Sequence, residues 1–372
     1  MTTPPATYLD WNATAPVLPE VVAAMAGALA RCGNPSSVHR WGRAARNAVE
    51  DAREAVAALA GAAAAEIVFT SGGSEANHLA LRGIGGRRII VSAIEHDSVC
   101  AAVADADILP AHAAGCADLA ALERMLGDDS RPALVSLMLA NNETGAIQDV
   151  AAAARIAHAH GALLHTDAIQ AAGKIALDRA ALGADLMTLS AHKIGGPQGV
   201  GALVVAPDLV LTPMIAGGGQ EQGRRSGTEN VPGIVGFGVA ARLAAARLED
   251  YSRIAALRDE AQRRLVAMAP DARVFAGDGP RLANTLAIAM PGVAAATQVM
   301  ALDLAGVMVS AGAACSSGKL RRSAVLTAMG VPGALADCSI RISLGWSTVP
   351  ADIDCLVQAW GALYARTRAN AA

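Results

Sequence analysis

Short apolar runs alternate with longer stretches of helical spacing through the first two-thirds of this chain. Ile67-Val68-Phe69, Arg88-Ile89-Ile90-Val91, Ala133 to Leu137, Ala162 to His165, Asp185 to Leu189 and Gly201 to Val205 are nearly continuous in apolar character. That is the pattern of strands buried on both faces. Between them, Val38 to Leu59, Ser74 to Arg82 and Val150 to His160 carry helix-like patterns. The alternation predicts an α/β layer fold with a mostly parallel sheet. A long helical pattern from Pro232 to about Met268 leads into a second region. There Thr285 to Ala289, Val307 to Ser310 and Ser339 to Ser343 read as strands of a smaller domain, with which the first fifteen or so residues are expected to pack. The predicted division is 16–250 for the large domain, with 1–15 and 251–372 forming the small one.

Composition supports a two-domain reading. The 372 residues are 53% hydrophobic and 17% charged, enough to fill a large core. A net charge of −3 gives no basic surface for nucleic acid. Met1 to Tyr8 lacks the basic-then-apolar order of a secretory signal, and no apolar run reaches the ~20 residues of a membrane span. The six cysteines form no Cys-x-x-Cys pair and no His-Cys cluster with zinc spacing, so no metal site is expected. A cytoplasmic protein with free thiols is the simplest account. Five cysteines lie in apolar or helical surroundings; Cys315 instead sits in Ser310-Ala311-Gly312-Ala313-Ala314-Cys315-Ser316-Ser317-Gly318, a loop composition.

Only three of the 30 basic residues are lysines, and one lies in Ser190-Ala191-His192-Lys193-Ile194-Gly195-Gly196-Pro197. Where arginine serves for ordinary positive charge, a retained lysine in such a loop points to a need for a primary amine. An amine condenses with an aldehyde and a guanidinium does not; the aldehyde cofactor used in this way is pyridoxal phosphate. Thr70-Ser71-Gly72-Gly73-Ser74-Glu75 follows a predicted strand and opens a predicted helix. It suits a phosphate cradle, and equally a strand-to-helix turn with a serine cap. His165-Thr166-Asp167-Ala168 ends another strand, where a carboxylate can keep a pyridine nitrogen protonated, or simply cap a strand. His96 follows a third strand and suits ring stacking and proton transfer, or a solvated loop. Asn141-Asn142-Glu143-Thr144-Gly145 reads first as a turn. The stretch Gly217 to Asn230 is too long and polar for a simple turn and suits an interface loop that donates to a phosphate.

In this order, these strings resemble the pyridoxal-phosphate-dependent cysteine desulfurases of the NifS/IscS type, within the class V aminotransferases. The resemblance runs nearly end to end, from Tyr8-Leu9-Asp10 and Asn12-Ala13-Thr14 through Asn34-Pro35-Ser36-Ser37 to Arg225-Ser226-Gly227-Thr228 and Ser339-Ile340-Arg341-Ile342-Ser343. It implies an aspartate-aminotransferase-like (fold type I) α/β architecture with a mixed, mostly parallel sheet, a small α+β domain, and a homodimer. It implies that Lys193 holds the cofactor as a Schiff base, Asp167 pairs with the pyridine nitrogen, Gln170 with the phenolic oxygen, and His96 stacks on the ring and shuttles protons. It places Gly73, Ser74, Ser190 and His192 around the phosphate, with Thr228 reaching across from the other subunit. Asn142 and Arg341 would hold the substrate carboxylate, and Cys315 would take sulfur from L-cysteine as a persulfide and pass it to an acceptor or iron–sulfur scaffold protein.

The chain departs from the family pattern at Gln198, where lysine is frequent, and at Ala313, where serine is frequent. It also ends soon after the last helical pattern, without the longer tail that helps housekeeping members bind their scaffold. A selenocysteine lyase or another class V aminotransferase shares most of these strings, and a non-catalytic scaffold would share the fold. Cys315 argues against an ordinary aminotransferase. The joint presence of Lys193, Asp167 and Cys315 argues against a scaffold.

Overall fold

A computed structural model describes residues 7–312 and 322–369. Its strands are β1 (Thr7–Tyr8), β2 (Ile67–Thr70), β3 (Arg88–Ser92), β4 (Asp107–Leu109), β5 (Ala133–Ser136), β6 (Leu163–Asp167), β7 (Leu186–Ser190), β8 (Gly201–Val205), β9 (Arg273–Phe275), β10 (Thr285–Ala289), β11 (Val307–Met308), β12 (Ser310–Ala311) and β13 (Ser339–Ser343). Seven of them form one sheet in the order β2-β8-β7-β6-β5-β3-β4. Neighbours from β7 to β4 pair in parallel, whereas β8 runs antiparallel to both β7 and β2. The expected mixed, mostly parallel sheet is therefore present.

Both faces of this sheet are covered, which explains the continuous apolar runs. Ile67, Phe69, Ile90, Val135 and Met187 point into one core, shared with the helices Arg40–Ala60 and Val231–Ala246. Val68, Val91, Leu134, Leu186 and Leu203 enter a second cluster beneath the helix Gly73–Gly83. Adjacent side chains alternate between faces, and each face has its own apolar cover.

A separate core gathers Leu9, Ile254, Leu265, Leu286, Ile288, Ile340, Ile342, Leu356 and Trp360. It lies between the antiparallel sheet β12-β13-β10-β9 and the helices Asp250–Met268, Ala295–Leu304 and Pro350–Ala369. β1 pairs in parallel with β11, bringing the N-terminal strand to this region.

Three elements differ from the sequence expectation. The helical pattern from Pro232 to Met268 is two helices bent by 75°, Val231–Ala246 and Asp250–Met268. Each follows a different core: Ile234 and Phe237 pack in the first, Ile254 and Leu265 in the second. The expected strand over 307–310 is split, because β11 pairs with β1 while β12 pairs with β13. β4 and β9 are short edge strands whose patterns are too brief to stand out. No single helix among the described residues is long and apolar enough to cross a membrane.

Candidate active site

The carboxyl ends of the parallel strands deliver polar side chains to one cavity of about 390 Å³. That volume lies within the roughly 300–1,000 Å³ usual for small-molecule sites. Asp167 is the last residue of β6, Ser190 the last of β7, and Lys193 closes the 3₁₀ turn that follows. His96 lies just beyond β3, Met138 and Asn142 beyond β5, and Gly73 and Ser74 beyond β2. Gln170 and Arg341 complete the wall with Asn12. Ligand sites gather at this end of parallel α/β sheets.

Each side chain is held by an identifiable local device. Asp167 is buried; its Oδ1 accepts from the Ile169 N–H at 2.9 Å and its Oδ2 from Asn77 Nδ2 at 2.9 Å. Asn77 Nδ2 also donates to Ser98 Oγ at 2.9 Å, and Ser98 Oγ lies 2.8 Å from His96 Nδ1. The Ser98 N–H donates to the same Nδ1 at 3.1 Å, so the neutral His96 ring carries its proton on Nε2. His96 is the N-cap of the short helix Asp97–Cys100, which fixes the ring beside the cavity.

Lys193 Nζ donates to the carbonyls of Asn12 at 2.5 Å and Ala13 at 2.8 Å. Burial pushes its amine down to about 8, helped by the nearby Arg341 charge and opposed by Asp10 and Asp167. The neutral amine is the form that attacks an aldehyde, and it predominates above that value. Uptake of pyridoxal phosphate by cofactor-free protein is therefore expected to accelerate nearly tenfold per pH unit below about 8 and to level off above it. Stopped-flow absorbance checks this; a rate already flat well below pH 8 would contradict it. Burial and Lys193 also push His192 down to about 4, so its ring is neutral near pH 7 and its Nδ1 lies 3.2 Å from Thr14 Oγ1.

The glycine-rich turn is packed too closely for a side chain at Gly73 or at the adjoining Gly201. A Cβ on Gly73 would collide with Ile169 Cδ1, and one on Gly201 would stand 2.6 Å from the Gly72 carbonyl carbon. Glu75 accepts from the Ser71 N–H at 2.7 Å and from Arg225 Nε at 2.9 Å, tying the turn to the Gly217–Asn230 stretch.

Arg341 donates to Asp10 Oδ1 at 2.8 Å and to the Asn142 carbonyl at 3.1 Å. Its Nε is buried with no acceptor among the described residues, although the side chain lines the cavity. A guanidinium with an unused donor at a cavity wall suits a carboxylate ligand. The Asn141–Gly145 segment is indeed a turn: Asn141 Oδ1 accepts from the N–H groups of Glu143 and Thr144 at 3.0 and 2.9 Å. Glu143 itself is buried against Ser323 Oγ at 2.6 Å, and burial raises its carboxyl to about 7.

The structure thus brings together Lys193, Asp167, Gln170, His96, Gly73, Ser74, Ser190, His192, Asn142 and Arg341. Thr228 lies elsewhere, on a larger groove of about 1280 Å³ with Leu29, Arg40 and Trp41. That groove contains neither Lys193 nor Asp167. Cys315 lies outside the described residues. Asn12, Asn77, Ser98 and Lys174 support the site without standing out in the sequence as candidates. Scarcity of lysine was an available signal for Lys174.

The aminotransferase class-V family model matches residues 7–356. The chain belongs to that family. A cysteine desulfurase of Cereibacter sphaeroides is 43% identical over 366 residues, covering 94% of each chain. An IscS-like cysteine desulfurase of Mycobacterium tuberculosis is 39% identical, covering 97% of each. The crystal structure of a NifS-like protein from Rickettsia africae superposes with a TM-score of 0.91 at 36% identity, covering 96% of this chain and 99% of that one. Class V membership agrees with an amine, a carboxylate and an anion-ready helix N-terminus around one cavity.

Proposed function

We propose that this protein is a pyridoxal-phosphate-dependent L-cysteine desulfurase. The observation that carries this reading is Lys193, a desolvated amine facing Asp167 and Arg341 across one cavity, in a chain similar throughout to cysteine desulfurases. The site fits the cofactor on its own chemistry. Lys193 would bond its aldehyde carbon, Asp167 would hold a proton on its pyridine nitrogen, and Gln170 would face its phenolic oxygen. Gly73, Ser74, Ser190 and His192 would surround its phosphate, with Thr228 contributed by a second subunit. When bound, the cofactor supplies an electron-accepting ring that stabilises negative charge at the substrate Cα.

The protein's own residues do the rest. Arg341 and Asn142, both lining the cavity, orient the substrate carboxylate. Lys193, whose amine burial pushes down to about 8, takes the Cα proton in its neutral form and returns it. His96, with Nδ1 occupied by Ser98, presents its Nε2–H to the cavity as a proton donor. The Cys315 thiolate attacks the substrate sulfur; the C–S bond breaks, Cys315 keeps the sulfur as a persulfide, and the substrate leaves as L-alanine. No external oxidant or reductant is needed for that step. The persulfide then passes to an acceptor, as iron–sulfur cluster assembly requires.

The same reading takes 16–250 as the cofactor-binding unit and 1–15 with 251–372 as the unit that carries Cys315. A homodimer is supported by the apolar groove around Thr228, where Trp41 is 57% and Leu29 70% exposed. A reducing, cytoplasmic setting is supported by the free thiols of Cys32, Cys100, Cys116, Cys338 and Cys355. The test is alanine formation from L-cysteine with a thiol reductant. Stoichiometric alanine and sulfide support the reading. A cofactor-loaded protein that releases no alanine from L-cysteine but does so from L-selenocysteine would replace it with the lyase.

A further inference from the structure

Lys174 lies behind the cavity wall, only 5% exposed. Its Nζ donates to Gln170 Oε1 at 2.8 Å and to Asn12 Oδ1 at 3.2 Å. No carboxylate among the described residues forms an ion pair with it. Burial pushes this amine well below its ordinary value, and the Lys193 and Arg341 charges push the same way. Both acceptors of this amine are amide oxygens.

The surrounding hydrogen bonds determine which way each amide faces. Asn12 Nδ2 donates to the Asn142 carbonyl at 3.3 Å, so that end of Asn12 must be nitrogen and the end toward Lys174 oxygen. Asn284 Nδ2, which donates to the Leu344 carbonyl, also donates to this Asn12 oxygen at 3.0 Å. Gln170 Nε2 donates to the Asn12 carbonyl at 2.9 Å, the same oxygen that receives Lys193. The Gln170 amide is thus pinned at both ends: its oxygen by Lys174, its nitrogen by Asn12.

We propose that Lys174 is a positioning residue that keeps the Gln170 amide hydrogens toward the cavity, so that the cofactor's phenolic oxygen meets a donor. The inference rests on reading Gln170 as the partner of that oxygen. Without the amine, Gln170 Oε1 is a buried acceptor with no donor among the described residues. Without that donor nothing holds the amide oxygen in this orientation, and an inverted amide sets it against the phenolic oxygen, acceptor against acceptor. Asn12 stays in place, because Thr285, Asn142, Asn284 and the Ser343 hydroxyl hold it independently.

The experiment uses purified holoenzyme of the parent, Lys174→Met, Gln170→Ala and the double variant. The visible absorbance of the bound cofactor is titrated with acid and base, and its protonation midpoint is read. Loss of a donor to the phenolic oxygen raises proton affinity there. Gln170→Ala is expected to raise it roughly three- to tenfold. Lys174→Met is expected to raise it in the same direction by a similar factor, with the double variant no further from the parent than Gln170→Ala. Lys174→Gln, whose amide still donates to Gln170, should stay at the parent midpoint, and it keeps the test open if the methionine variant fails to load cofactor. If Gln170→Ala moves the midpoint and Lys174→Met does not, the role of Lys174 is overturned while that of Gln170 stands. Additive shifts in the double variant, or a Lys174→Gln midpoint equal to that of Gln170→Ala, overturn it as well. If neither single variant moves the midpoint, the reading of Gln170 fails and takes this inference with it.

Discussion

Lys193→Ala leaves a folded protein that converts L-cysteine to alanine at less than roughly one thousandth of the parent rate. The amine is asked to do two things, to bond the cofactor aldehyde and to move the Cα proton, and alanine does neither. The fold should tolerate the change. Among the described residues Nζ bonds only the Asn12 and Ala13 carbonyls, and the Asn12 carbonyl keeps its bond from Gln170 Nε2. Removing a lysine whose amine is pushed down to about 8 by burial also removes a desolvated group rather than a stabilising ion pair. Two measurements decide the matter: thermal unfolding close to that of the parent, and loss of the visible absorbance of covalently held cofactor. Turnover near the parent rate would exclude Lys193 as the bonding amine. Arginine at this position should be as inactive as alanine, because it keeps charge but cannot condense with an aldehyde.

Cys315→Ser separates substrate binding from sulfur removal. A serine hydroxyl is a far weaker nucleophile toward sulfur than a thiolate, so alanine release should fall by roughly a thousandfold or more. L-Cysteine should still perturb the cofactor absorbance, since Lys193, Asp167 and Arg341 are untouched. Ser310, five residues before Cys315 in the sequence, lines the cavity. Parent-like alanine release from the serine variant would mean that the sulfur leaves by another route.

Much of the site was legible because its residues sit in short strings directly after strands. A strand ending in Asp167 and another leading into Lys193 must place both at the same sheet end if they run parallel, and their apolar patterns announced that they do. The long helical pattern misled for the opposite reason. Helical spacing alone does not say which core a turn faces, and here two cores claim successive segments and bend the chain by 75°. Thr228 lies on a separate groove, and the contact with a neighbouring subunit that the family resemblance assigns to it is a proposal.

By itself, the sequence determined the α/β layer and the strand ends that line the cavity, and it singled out Lys193, Asp167 and Cys315 as candidates. These depend on periodicity and residue type, which are local. Only the tertiary structure decided that burial pushes the Lys193 amine down to about 8, that Asn77 holds Asp167, and that Lys174 and Asn12 bond Gln170. Desolvation and hydrogen-bond direction arise from groups far apart in the chain: Asn12 meets Ser343 across 331 residues and Lys174 across 162. No local pattern encodes such a meeting, because it exists only once both cores have closed around it.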